Sequence, residues 1–385
     1  MNSRDIGEIR RRLNPDHRNP SVIRGYYVNG KGEGIAEFIQ PVISLPETEN
    51  QKYMGIFRKI LSGTMGQNLM EADIPLEFIP ESQDYQLLAR LRESALMDGD
   101  AVQLFYAKVA EYISAMPEEG GEDEPKYLIL LTHEAWDVPG FGADGSEDQS
   151  QSESVFPYMI AAVCPVKPLK PGLRYQPEDR NFCMQDADWV VGAPAFGFLY
   201  PAWEDHGANI TRALFYTRDL RNAHEDLIVS LFGASLMPAA RQEESFRTIL
   251  TETLGESLDL DVLCAVGDKV QQMIEENKAD RTAEPVKLTK EGIRTILTDC
   301  GVPAEKAEAF ETRYEEDLGA ASEMAAVNIA PKKYAVKTPS VSITVAPENI
   351  GLIETRILDG RKYVLVQADG PIEVNGVEVH VAEEE

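Results

Sequence analysis

Hydrophobic positions change their period several times along the chain, and each change marks an element. Residues 3–13 place Ile6, Ile9 and Leu13 on one side at helical spacing, with Ser3 as the predicted N-cap. The runs SVIRGYYV and GIAEFIQPVI read as two strands around Asn29-Gly30-Lys31-Gly32-Glu33-Gly34. A glycine-rich loop that cradles phosphate opens a helix; here a strand pattern follows, so a hairpin turn is predicted instead. Helices are predicted over 48–62 (Met54, Phe57, Leu61), over 82–96, and over 98–115 with Val102, Phe105, Tyr106, Val109 and Ile113 inward. PEEGGEDEP at 117–125 reads as an acidic loop before YLILLTHEAW, a continuous apolar run of the buried-strand type. Residues 140–154, GFGADGSEDQSQSES, read as a flexible loop, because the strand VFPYMIAAVCPV follows at once. DWVVGAPAFGFLYPAW and ALFYTRD give a further strand pair.

Past residue 240 the period becomes helical. Residues 241–278 carry Phe246, Ile249, Leu250, Leu254, Val262, Val266, Val270 and Met273 at helical spacing. Thr289 is predicted to cap a helix through Leu297 and Gly301 to end it, with Pro303 in the first turn of the next, through Leu318. From 333 the pattern is β: VSITVAP, LIETRIL, RKYVLVQA, IEV and VEVHV. Asp359-Gly360, Asp369-Gly370 and Asn375-Gly376 stand at three junctions and favour the positive φ of hairpin turns. The expected fold is α+β: an α/β domain over 1–240 with a mixed or antiparallel sheet, a helical region over 241–326, and a C-terminal antiparallel β meander within 327–385.

Composition narrows the function. The 385 residues are 43% apolar, enough for two or three cores rather than a disordered chain. Against 37 basic side chains stand 65 acidic ones, a formal net charge of −28 that repels phosphate backbones and anionic lipid headgroups. Direct nucleic-acid binding is therefore disfavoured. One local patch runs the other way: Arg4, Arg10, Arg11, Arg12, Arg18 and Arg24 against Asp5, Glu8 and Asp16. It reads either as a solvated helix face with pairs such as Glu8–Arg12, or as a docking site for an acidic partner or a phosphate through Arg10, Arg11 and Arg12. Cys164, Cys183, Cys264 and Cys300 form no CxxC pair and are expected to be reduced and mostly buried. No apolar run of the signal-peptide kind opens the chain, and none approaches the roughly 18 residues of a membrane span, so the expectation is a cytoplasmic protein with no membrane partner.

Catalytic chemistry has little to rest on. His17, His133, His206, His224 and His380 are scattered, with no HExxH-like pair; His133, at the end of a predicted strand, reads as a structural histidine. The densest polar group is Asp186, Asp188, Glu204, Asp205 and His206, around an apolar strand with Trp189 and Trp203. Carboxylates gathered there suit Mg²⁺ or Mn²⁺, and the same residues also suit polar turns. The ends of a strand of nine to twelve residues lie roughly 30 Å apart, so one end alone contributes unless the strand breaks at Pro194. No GxSxG elbow, P-loop or GxGxxG in a strand–helix setting is present, and no cofactor is expected. Arg212, Arg218 and Arg221 with His224, beside Tyr216, suit an anion or, by charge balance, the surplus acids nearby.

The phrases IGEIRRRLNP, IRGYYVN, LSGTMGQNL, ILLTHEAWDVP, CPVKP, FLYPAWEDHGANI and ETRILDGRKYVLV resemble, in wording and order over nearly the whole chain, the bacterial family domain of unknown function 4317. That resemblance implies no activity. A second resemblance, of layout alone, is to the bacterial nucleoid-associated protein family: DADWVV, YTRDLRNAHEDLIVSLFG, the helical pair around SFRTILTETLGESLDLDVL, and a β-rich tail from VSITVAPENIG. It implies work through partners as well as DNA, and no catalytic residues. The expectation is a non-enzymatic cytoplasmic interaction protein with a protein partner. The alternative is a metal-dependent hydrolase or nuclease using the carboxylate/His cluster. Oligomeric state stays open.

Overall fold

The apolar run Leu128–Leu131 lies inside a sheet covered on both faces, which is why it lacks the alternation of a half-exposed strand. The computed structural model describes residues 1–117, 124–141, 147–169, 172–178, 180–185, 188–204, 206–280, 282–320, 322–368 and 370–380. Two units emerge, one of residues 1–241 with 280–285 and one of 242–279 with 286–385.

In chain order the first unit has α1 (Ser3–Arg12), β1 (Val22–Asn29), β2 (Gly34–Pro41), α2 (Glu47–Ile60), β3 (Leu69–Asp73), α3 (Phe78–Glu81), α4 (Gln83–Glu93) and α5 (Gly99–Ala115). There follow β4 (Lys126–Phe141), β5 (Glu147–Pro168), β6 (Gly172–Gln176), β7 (Asn181–Gln185), β8 (Trp189–Val191), β9 (Phe196–Tyr200), β10 (Ala202–Glu204), β11 (Gly207–Asn209), β12 (Arg212–Thr217) and α6 (Glu225–Phe232). The main sheet runs β2-β1-β4-β5-β9-β12-β3, with β8 joined to β5, and every pair is antiparallel. One face receives Leu88, Leu91, Val102, Phe105, Leu231 and Phe232 from α4, α5 and α6. The other receives Ile6 and Ile9 of α1 and Met54, Phe57 and Ile60 of α2. Gly25 is required on that second face: a Cβ there would meet the ring of its cross-strand partner Phe38 at 2.1 Å.

Several local expectations change. Asn2, not Ser3, caps α1; its side chain accepts from the Arg4 and Asp5 amides while Asp5 answers the Asn2 amide, a capping box closed by the shorter carboxylate. The predicted strand 188–203 is three strands. β8 pairs with Val166–Pro168 of β5, β9 with Met159–Val163, and β10 with β11. The break falls at 192–195, where Pro194 has no amide for a ladder and Gly192 and Ala195 bond back to Pro165 and Val163. The stretch 140–154 is shorter as a loop than predicted, since β4 runs to Phe141 and β5 starts at Glu147; residues 142–146 lie outside the described residues. Residues 118–123 of the acidic loop also lie outside them.

The second unit contains α7 (Ala239–Leu254, from Gln242), α8 (Leu260–Lys278), β13 (Lys287–Leu288), α9 (Lys290–Asp299), α10 (Ala304–Leu318), β14 (Met324–Ala325) and α11 (Ala326–Ile329). Phe246, Ile249, Val270, Ile296, Phe310 and Tyr314 fill its helical core. Thr289 caps α9 through the Gly292 amide at 3.1 Å, and Gly301 follows that helix at φ +87°. Pro303 takes the N-cap position of α10 instead of its first turn. The β-rich end comprises β15 (Tyr334–Lys337), β16 (Ser342–Val345), β17 (Ile353–Leu358), β18 (Arg361–Val366), β19 (Ile372–Val374) and β20 (Val377–Val379). It is antiparallel throughout, and its strands pair two by two as three hairpins. Asp359-Gly360 and Asn375-Gly376 turn two of them with positive φ at all four residues.

Candidate functional site

The arginine triplet of α1 divides. Arg10 and Arg11 are exposed, whereas Arg12 turns inward. Its Nε donates to Glu134 Oε1 at 2.9 Å, its Nη2 reaches the same oxygen, and its guanidinium lies 5.4 Å from the Trp136 ring centre. Tyr158, directly across from Glu134 in the β4–β5 ladder, donates to the other oxygen at 2.5 Å. Burial, then the Glu134 charge, pushes the Tyr158 hydroxyl well above its ordinary range. One turn back, Glu8 accepts from Arg4 Nε at 3.2 Å and Trp203 Nε1 at 2.9 Å. This network fastens α1 to the sheet, and it leaves Arg10 and Arg11 as the members of the triplet able to meet a partner.

The carboxylate/His group is drawn into similar work. Glu204 accepts from Arg212 Nη1 at 2.8 Å and Asn209 Nδ2 at 2.9 Å, with the Met1 amine at 3.2 Å. Burial would raise its pKa, but the Asn209 and Arg212 hydrogen bonds hold it below the usual carboxylate value. Arg212 also pairs with Glu71 and Asp73, so burial's downward pull on it is outweighed by its acids. His206 Nε2 lies 3.1 Å from Arg4 Nη2. Asp188 faces Arg174 at 3.4 Å. Asp186 and Asp205 lie outside the described residues. Among the described residues no group of three or more His, Cys, Asp or Glu side chains is placed to hold a metal ion. Of the other basic side chains beyond β12, Arg221 pairs with Asp219 at 3.1 Å and Arg218 donates to the Ala193 carbonyl at 3.1 Å.

Two histidines are buried. His133 lies within β4 rather than at its end, because the strand continues to Phe141. Burial pushes its pKa down to about 4, outweighing the opposite pull of the Arg92 backbone. His224, packed against Phe196 and 2.8 Å from the Tyr112 hydroxyl, is likewise pushed down to about 4 by burial. His224 is enclosed by the rings of Tyr112, Phe196 and Phe215.

The surfaces left unfinished are on hairpins, which the sequence reading did not single out. In the register of β6–β7, Leu173 faces Met184 and Tyr175 faces Phe182, so one face presents four large apolar residues, all exposed. On β19–β20, Ile372 faces Val379 and Val374 faces Val377, again one apolar face and all exposed. The hairpins β15–β16 and β17–β18 close on each other at one end through Tyr334, Val336, Ile343, Val345, Ile353 and Val364, together with Leu260 and Cys264 of α8. At the other end they splay. There Thr338, Val341, Ile357 and Tyr363, continuous with Val336, Ile343 and Val364, line a groove of about 690 Å³ that Lys362 and Arg356 also border, the latter paired with Glu354 at 2.5 Å. Ile357 is 70% exposed inside it. The signal was present in RKYVLVQA: four consecutive apolar residues in a two-stranded ribbon put apolar side chains on both faces, more than a single packed face can cover.

No helix among the described residues is long and apolar enough to cross a membrane. The chain is a mixed α+β protein in which the hairpins β6–β7 and β19–β20 each present an exposed apolar face. It belongs to the family described as a domain of unknown function, DUF4317, whose model matches residues 1–377. No curated protein and no solved structure matches the chain, and the layout likeness to nucleoid-associated proteins finds no counterpart there.

Proposed function

We propose that this chain is a non-enzymatic cytoplasmic interaction protein that binds a protein partner through the groove between β15–β16 and β17–β18. The observation that carries this reading is the open end of the two-hairpin sandwich. Val341 and Ile357 are exposed in the groove, which runs on to Val336, Ile343 and Val364, half-buried against Tyr334 and Ile353. Apolar surface that the chain's own packing leaves uncovered is an association surface. The exposed Arg10 and Arg11 of α1 are a secondary electrostatic contact, with binding that weakens as salt rises. The test compares Ile357→Asp with Ile43→Asp, since Ile43 is 80% exposed in the first unit. Recovery of the cellular partner with the purified chain is expected to be lost in the first variant and kept in the second, with both unfolding as wild type. Equal recovery by both variants would overturn the reading.

A further inference from the structure

In the first unit, we infer a binding site for a small monocarboxylate, anchored by Arg24 of β1 and Tyr106 of α5.

Arg24 stands opposite Ile39 of β2 and Leu131 of β4, on the sheet face that α4 and α5 cover. It is 7% exposed, and its Nε is sealed without a hydrogen-bond partner among the described residues. No carboxylate of the described residues pairs with it either. Arg12 and Arg212, also drawn against this sheet, both hold acids. Arginine cannot shed its proton when it is buried, so the Arg24 charge persists and needs a counterion.

A second donor lies beside it. Tyr26, two residues along β1 and on the same face, stacks on Tyr106 with ring centres 4.9 Å apart. Tyr106 is 1% exposed, and its hydroxyl also lacks a partner among the described residues. Burial and the Glu37 charge push the pKa of that hydroxyl up while the Arg24 charge pulls it down, which puts both charges in its neighbourhood. Glu37, the one acid of β2, is turned to other work: its Oε2 accepts from Gln103 Nε2 at 2.7 Å.

Buried polar groups in folded proteins are overwhelmingly paired. Two donors together, one of them charged, are complemented by an anionic oxygen. A water molecule would satisfy the hydrogen bonds without balancing the charge. Entry is from the open end of the guanidinium, since of its nitrogens Nε alone is sealed. The sheet edge is next to it, where Ile39 is 52% exposed on β2. One guanidinium balances one negative charge, and the net charge of −28 penalises every further one. A carboxylate with a single charge therefore suits the site better than a phosphate.

The experiment is thermal unfolding of the full chain at neutral pH in chloride, acetate and phosphate of equal ionic strength. A ligand held by the folded state alone raises the midpoint. Wild type is expected to gain several degrees in acetate over chloride, and less in phosphate. Arg24→Met is expected to gain nothing, and Tyr106→Phe part of the wild-type rise. In chloride Arg24→Met is expected to unfold at the wild-type temperature or above, because an unbalanced buried charge gives way to an apolar chain. No gain in wild type, or an equal gain in wild type and Arg24→Met, would overturn the site. A larger gain in phosphate than in acetate would overturn the choice of a monocarboxylate. A marked loss of stability in Arg24→Met in chloride would show that the chain itself balances Arg24, and would overturn the inference as well.

Discussion

Tyr158 donates its hydroxyl to Glu134 at 2.5 Å directly across the β4–β5 ladder, while Arg12 of α1 holds the carboxylate's other oxygen. Glu134 is 3% exposed, so its charge is sustained by these two side chains and not by water. The helix that carries the basic patch is thereby tied to the middle of the sheet.

Replacing Arg12 by Ala is therefore expected to cost about 2 kcal/mol of unfolding free energy, the worth of a hydrogen-bonded charge partly open to solvent. Arg10→Ala and Arg11→Ala stay within about 0.5 kcal/mol of wild type. Denaturant unfolding followed by tryptophan fluorescence reads all three; equal costs would contradict the inward placing of Arg12.

Arg212 satisfies Glu204 and Glu71 together, and Glu71 is deeply buried. Arg212→Ala leaves those carboxylates with the Met1 amine as their cation and is expected to cost about 3 kcal/mol. Adding Glu71→Gln recovers part of that loss. A double-mutant cycle by thermal unfolding measures the coupling, and additivity would show that the two do not share a network.

His133 and His224 both hold pKa values of about 4 against an ordinary 6.5. Unfolded, each takes up a proton as pH falls through 6.5; folded, each resists until about 4. Stability from this source is complete above pH 6.5 and is lost as pH descends toward 4, by up to about 1.4 kcal/mol per pH unit for each histidine. His133→Gln and His224→Gln are expected to flatten unfolding free energy against pH over that window. An unchanged slope would place the acid sensitivity elsewhere.

Gly267 sits inside α8, where helix propensity alone favours Ala by about 1 kcal/mol. A Cβ there would meet Tyr334 Oη at 2.3 Å and Pro331 at 3.2 Å. Gly267→Ala is therefore expected to destabilise the second unit by about 1–3 kcal/mol, the usual cost of overpacking, by lifting β15 off α8. A rise in the unfolding midpoint would show that this contact is dispensable.

What the sequence made legible was mostly local. The hairpin at 29–34, the Thr289 cap, the helix 99–115 and the Asp-Gly and Asn-Gly turns all rest on contacts within a few residues of one another. The choice of Asn2 over Ser3 as cap was also local: both residue types cap, and the Asp5 carboxylate that answers the Asn2 amide decides between them. Non-local facts stayed hidden. Nothing near Arg12 in sequence announces Glu134, and periodicity cannot say that β3 borders β12. The cations that engage Glu204 and His206, namely Arg212, the Met1 amine and Arg4, stand far from them in sequence or in other elements, so periodicity could not announce them. The groove was harder still: it arises where two short hairpins diverge, and alternation describes each ribbon without its neighbour.

A photoreactive amino acid at position 357 decides whether the groove between the two hairpins is an interface. Irradiated in cells, that position is expected to give a discrete protein adduct that Val341→Asp abolishes, while the same group at position 43 gives none. Diffuse labelling at both positions, or an adduct indifferent to Val341→Asp, would contradict it.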